Sequence, residues 1–353
     1  MVSAPSRSGR RASGRRVVDR RVVDRRALGR RAFAVALGLA ADWAVGEPAA
    51  WHPVAGFGSA MAALERRMWA DRRVAGVAYA AAGVGGAAGA GLAARRLAGP
   101  AAALAWGTWI SVAGRYLLEA ASAVADALDA GDLEHARTLL PVLVGRSPDG
   151  LGEEEVARAV VESVAENLSD AVVASALWGL VAGAPGVLAH RAANTLDAMV
   201  GHRDARHGRF GWASARADDA LGWPAARLTA LLAAGSRPSK AVDVWRAVRR
   251  DAPRHPSPNA GVPEAAFAAV LGLRLGGANR YGDRVEVRPM LGEGRPPEAA
   301  DIRAAVALAR RVTVLLFALA VLAGAVLLGA PGPGWPRRDD EAARRPARTG
   351  AGR

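Results

Sequence analysis

Uncharged runs alternate with polar segments of helical period along this chain. Residues 74–94, 97–114, 171–189 and 312–334 carry no charged side chain. Each reaches or nearly reaches the ~20 residues that cross a hydrocarbon core. The last run, with Val-Leu-Leu-Phe-Ala-Leu-Ala-Val-Leu, is the most apolar; 74–94 is mostly Ala and Gly, which favours close helix packing. Segments 32–46, interrupted by Asp42, and 221–235, with Pro224 and Arg227, read as a short span, a re-entrant piece or an interfacial helix. Between the runs, 119–130, 132–143, 153–168, 238–250, 262–275 and 297–311 have helical spacing, with Asp132 as a cap and Pro141 bending or ending its helix. Alternation of the β kind is confined to a short stretch, Arg284-Val-Glu-Val-Arg. The pattern predicts an all-α, polytopic helical integral membrane protein with helical polar segments between spans.

Charge changes that picture little. The net charge of +14 first suggests nucleic acid. Residues 1–31, however, hold eleven Arg against Asp19 and Asp24, a contribution of +9, and 337–353 hold six Arg against three acids, a further +3. The remaining +2 leaves a nearly neutral body with basic ends, which fits a lipid bilayer and no nucleic acid. The Arg15-Arg-Val-Val-Asp-Arg-Arg-Val-Val-Asp repeat has period five, matches neither helix nor strand, and predicts disorder for 1–31. A second basic tail, 335–353, predicts the same, leaving 32–334 as one membrane domain. The Arg-rich start predicts a cytoplasmic N-terminus, and Arg95-Arg96 a tight cytoplasmic turn. No cysteine is present, which removes disulfides, thiolate nucleophiles and cysteine metal sites.

Two polar clusters flank the third uncharged run. Ala159-Val-Val-Glu-Ser-Val-Ala-Glu-Asn-Leu-Ser-Asp precedes it and Asn194-Thr-Leu-Asp-Ala-Met-Val-Gly-His-Arg follows. Glu162, Glu166 and Asp170 recur every four residues, so on a helix they rise along one face about 6 Å apart, with Arg158 one turn earlier. Three acids in line repel one another unless a cation sits among them. A metal is therefore one reading, and a solvated helix face is the other. Lys240 is the only lysine and no Walker loop is present, so any phosphate recognition rests on backbone amides and arginine, with Arg146, Arg191, Arg203 and Arg227 as candidates.

These words resemble the signature of the CobD/CbiB family of cobalamin biosynthesis. Asp42-Trp-Ala-Val-Gly-Glu-Pro with His52-Pro-Val-Ala-Gly-Phe-Gly resembles the family's opening, and 158–170 its central block. Asn194-Thr-Leu-Asp, Ala217-Asp-Asp, Pro224-Ala-Ala-Arg-Leu-Thr, Ser257-Pro-Asn-Ala-Gly, Leu275-Gly-Gly-Ala-Asn and Leu291-Gly-Glu-Gly resemble later blocks, in order, across roughly 36–330. Two places depart: Gly145-Arg-Ser-Pro-Asp-Gly-Leu stands where the family has Gly-Arg-Asp-Thr, and Leu221-Gly-Trp where it has an Asn.

The resemblance implies a multi-pass protein of the bacterial inner membrane and an ATP-dependent amide ligation. A propionate carboxyl of adenosylcobyric acid would be activated as an acyl phosphate, then joined to aminopropanol or its phosphate. It implies ATP and Mg²⁺, and contact with other late cobalamin-pathway membrane enzymes. Glu162, Glu166, Asn167 and Asp170 are the catalytic candidates, and Glu162, Glu166 and Asp170 the Mg²⁺ ligands; Asp197, Asp218 and Asp219 form the other acid group suited to the metal. Substrate-binding candidates are Asp42, His52, Arg146, Asn194, Asp197, His202, Asp218, Asp219, Arg227 and Asn259. Two further readings stay open: an AmpE-like membrane regulator without turnover, and a transporter.

Overall fold

In the computed structural model, residues 25–47, 52–145, 147–202, 204–281 and 284–329 are described. The fold is all-α, apart from one hairpin. Helix α1 (Arg25–Val45) packs along the last helix, α13 (Ala299–Gly329), and along α4 (Pro100–Val112). Helix α3 (Arg73–Ala98) lies against α9 (Ala184–Val200), with α2 (Pro53–Met68) across the same end of α9. Helix α10 (Trp212–Ser236) crosses between α9 and α12 (Gly261–Leu271), and α11 (Ala241–Asp251) packs on α12. Helices α5 (Gly114–Asp129) and α6 (Leu133–Leu139) cover α7 (Glu153–Asn167). Asp132 caps α6 by accepting from the His135 N–H at 2.9 Å, and Pro141 sits in the 3₁₀ turn that ends it, both as the sequence predicts.

Three helices among the described residues are long and apolar enough to cross a membrane: Arg73–Ala98, Glu153–Ala182 and Ala299–Gly329. The first and third have mostly exposed apolar windows, whereas the second is largely enclosed. Leu92 and Leu97 on α3, and Phe317, Leu319, Leu322 and Val326 on α13, stand exposed. Such apolar faces fit lipid rather than water.

Two of the predicted spans are corrected. The run 97–114 breaks at Gly99, with φ +82°, before Pro100. The remaining 13-residue α4 is only about 20 Å long, too short for a ~30 Å core. The run 171–189 breaks at Gly183, with φ +69°, before Pro185, where α8 (Ala174–Ala182) ends and α9 begins. The helix of crossing length instead starts at Glu153 and passes through a π segment at Leu168–Val173. Absence of charge locates apolar surroundings, but a Gly with a Pro behind it decides where the helix stops.

Three smaller differences follow from tertiary contacts. Helix α1 begins at Arg25, inside the segment predicted disordered, because Gly29 lets α1 approach Leu327 and Leu328 of α13. The rest of both tails lies outside the described residues, while 32–45 belongs to one continuous helix that stops before Gly46. The predicted helix 297–311 is the first half of α13. The β segment is longer than predicted: β1 (Leu275–Tyr281) pairs antiparallel with β2 (Arg284–Leu291), with an irregularity between Leu275 and Gly277. Gly276 and Gly277 have φ +88° and +94°, a backbone that masks any alternating pattern in β1.

Candidate active site

The helical period of α7 brings Arg158, Glu162 and Glu166 to one side, but they do two different things. Glu162 is buried and accepts from the Gly276 N–H at 2.8 Å. Arg158 donates to the Gly276 and Ala278 carbonyls. Both therefore latch the hairpin onto α7. Asn167 turns back along its own helix, donating to the Ser163 carbonyl and Oγ, each at 3.0 Å.

Glu166 and Asp170 belong to another group. Asp170 lies on the π segment, where one extra residue per turn re-aims the side chains that follow. It is in electrostatic reach of Asp218, Glu166, Arg191 and Asp197. Asn194 bridges the group: its Nδ2 reaches Asp170 Oδ2 at 3.5 Å, its Oδ1 receives Arg191 Nη1 at 3.4 Å, and it hydrogen-bonds Asp218. Thus α7, the π segment, α9 and α10 converge four carboxylates, one guanidinium and one carboxamide. Burial pushes Asp218 up to about 7; Asp197 raises it further, the Asn194 bond opposes, and Asp219 and Glu166 add to the rise. Asp197 is raised by burial and by Asp219, with His202 opposing.

No three His, Asp or Glu side chains among the described residues meet as a preformed metal site. The predicted triad of Glu162, Glu166 and Asp170 is therefore corrected, since Glu162 is engaged by the hairpin. The donor chemistry nevertheless suits Mg²⁺: hard carboxylate oxygens in excess over one arginine, crowded enough to hold a proton near neutrality.

This crowding has a pH signature. With the Asp218 pKa raised from 3.8 to about 7, its stabilising contribution is full below about pH 4 and is lost as pH rises through 7. A divalent cation removes the repulsion. Thermal midpoints measured without Mg²⁺ are expected to fall over that window, to fall less with Mg²⁺, and to flatten in Asp218→Asn. An Asp218→Asn profile superposable on the parent's would refute the assignment.

Beside the cluster, a cavity of about 810 Å³ opens between the end of α9, the start of α10, α11 and the loop before α12. Gly201, His202, Asp219 and Arg227 line it, so three sequence-derived candidates, His202, Asp219 and Arg227, do share one space. Asn259 braces its wall, donating to the Asp219 carbonyl at 2.9 Å and accepting from Arg227 at 3.3 Å. Gly222 lies beneath it, and a Cβ there would come 2.8 Å from Asn259 Nδ2 and push that amide aside. Arg227 also stacks on Trp223 and donates to the Pro258 carbonyl.

Other candidates are engaged elsewhere. Asp42 is buried and accepts from the Arg115 N–H at 3.0 Å, at the start of α5. His52 caps α2, its Nδ1 accepting from the Val54 N–H at 3.2 Å. Arg146 and Arg203 lie outside the described residues.

Sequence reasoning missed Arg216, Arg249, His207 and His255, which also line the cavity. His207 reaches Asp204 at 3.0 Å and Glu65 at 3.4 Å, tying the loop before α10 to α2. His255 accepts from the Ser257 N–H at 3.1 Å, and burial pushes it down to about 4. Its place directly before Pro256-Ser-Pro-Asn was the available signal.

The profile of the family described as "CobD/Cbib protein" matches residues 35–309. The chain belongs to that family. Among its relatives, "Cobalamin biosynthesis protein CobD" of Mycobacterium tuberculosis (strain CDC 1551 / Oshkosh) is 47% identical over 297 residues, covering 82% of this chain and 94% of the relative. Proteins of the same name from Geobacter metallireducens and Chromobacterium violaceum are each 42% identical. Those matches cover 78% and 83% of this chain, and 91% and 96% of the respective relatives. No solved structure matches the chain. Membership in a cobalamin-biosynthesis family makes the polar cluster and its cavity the place to look for corrinoid chemistry.

Proposed function

We propose that this protein joins a propionate carboxyl of adenosylcobyric acid to aminopropanol or its phosphate, with ATP as the energy source. A carboxylate does not condense with an amine in neutral water, because it is a poor electrophile and hydroxide a poor leaving group. Phosphoryl transfer from ATP to the carboxylate oxygen gives an acyl phosphate and ADP. The amine then attacks that carbonyl, loses a proton, and expels phosphate. The demand on the protein is positioning and charge stabilisation.

The observation that carries the reading is the convergence of Glu166, Asp170, Asp197 and Asp218 with Arg191 and Asn194 beside a large cavity. The carboxylates would hold Mg²⁺, which neutralises phosphate charge when bound. Arg216, Arg227 and Arg249 around the cavity offer guanidinium groups to anionic substrates. His202 stands at its wall, where it can exchange a proton with the attacking amine. The reading includes a multi-pass position in the bacterial inner membrane, supported by the three apolar helices, and neighbouring late-pathway membrane enzymes as partners.

Membranes bearing the protein, given adenosylcobyric acid, ATP, Mg²⁺ and each amine in turn, are expected to yield a corrinoid heavier by the amine less one water. Mass spectrometry reads that product and which amine is used. Absence of an ATP-dependent amide with either amine would sink the proposal.

A further inference from the structure

The two helix breaks that shorten the predicted spans create a second site. Gly99-Pro100 joins α3 to α4, and Gly183 with Pro185 joins α8 to α9. The turns lie together, Pro100 and Ala101 lining one cavity with Gly183 and Pro185, and within α3 a Cβ on Gly91 would sit 2.7 Å from Pro185. Between these turns and the first turns of α1 lies a cavity of about 140 Å³.

Among the described residues its wall carries Arg30, Arg31 and Arg95, and no acidic residue. Arg31 is held in place by donating to the last carbonyls of α8, Leu180 at 3.2 Å and Val181 at 2.8 Å. Arg30 and Arg95 are exposed and have no ion-pair partner among the described residues. Three guanidinium groups with no counter-charge among the described residues favour an anion bearing several oxygens. The space is below the roughly 300 Å³ usual for a small-molecule pocket, so it suits a headgroup and not a nucleotide. Next in sequence to its lining stand exposed apolar side chains: Leu97, 88% exposed, and Val181, 59%. Leu97 belongs to a helix apolar enough to cross a membrane.

We propose that this cavity binds the phosphate of an anionic phospholipid, with the acyl chains lying along the apolar surfaces of α1, α3 and α8. Basic pockets between helix ends recognise headgroups in this way. The site is separate from the acid cluster and does not depend on the ligase reading.

The test uses the full-length protein in mixed micelles, with binding and thermal midpoint measured against phosphatidylglycerol and phosphatidylcholine. Parent protein is expected to bind phosphatidylglycerol on the order of tenfold tighter or more. Arg30→Gln with Arg95→Gln should lose that preference while keeping the parent's midpoint in phosphatidylcholine. Arg95→Glu, which leaves the Arg31 bonds intact, should lose it too. Arg66→Gln with Arg72→Gln, exposed positions away from the cavity, should keep it. Three results would overturn the proposal: retained preference in either cavity variant, equal loss in the control pair, or the same midpoint shift from free glycerol phosphate.

Discussion

Replacing Glu166 with Gln is expected to lower amide formation on the order of a thousandfold at unchanged levels of folded protein. Glu166 lies in the last turn of α7 and faces Asp170 and Asp218, so its charge contributes to the cluster suited to the cation. Gln keeps the shape and removes that charge. If Glu166 lay on a solvated face, the substitution would change stability by under about 0.5 kcal/mol and leave turnover near normal. The measurement is corrinoid product per unit of inserted protein across a Mg²⁺ titration, with His135→Gln, on the surface helix α6, as control. A partial defect that high Mg²⁺ restores would support a metal role, whereas unchanged turnover would remove this helix from the site.

Gly201→Ala is expected to cost ten- to a hundredfold in activity with little loss of fold, the scale seen when a supporting group of a metal site is disturbed. Gly201 closes α9 and lines the cavity, and a Cβ there would run into the Asp197 carboxylate. The Asp197 carbonyl oxygen lies 2.7 Å from the same point, so the end of α9 must shift as well and take the carboxylate with it. Asp197→Asn alone should lower activity comparably, and the double variant should be little worse than either single one. Additive losses would show that Gly201 acts independently of Asp197.

Much of the fold was legible without coordinates. Helical period and uncharged runs located most helices, and the Asp132 cap and Pro141 stop were correct in detail. The span boundaries were not, because hydropathy averages over the Gly99 and Gly183 breaks that set where a helix can continue. The family was readable from several short motifs in order, and the profile match over 35–309 agrees.

Within the site, sequence determined which residues could do chemistry: acids and amides in two clusters around an apolar run, with arginine and backbone amides as the groups on which any phosphate recognition would rest. Tertiary structure decided which of them meet. Equal spacing placed Glu162 and Glu166 on one face of α7, yet the hairpin folds back to engage Glu162 through Gly276, while α9 and α10 approach Glu166. The π segment then turns Asp170 toward Asp218 and Asn194. Asp42 and His52, equally prominent in the motifs, were drawn to helix starts. Periodicity describes one helix at a time, whereas partners more than a hundred residues apart are chosen by packing, and packing determines which carboxylates share a buried space.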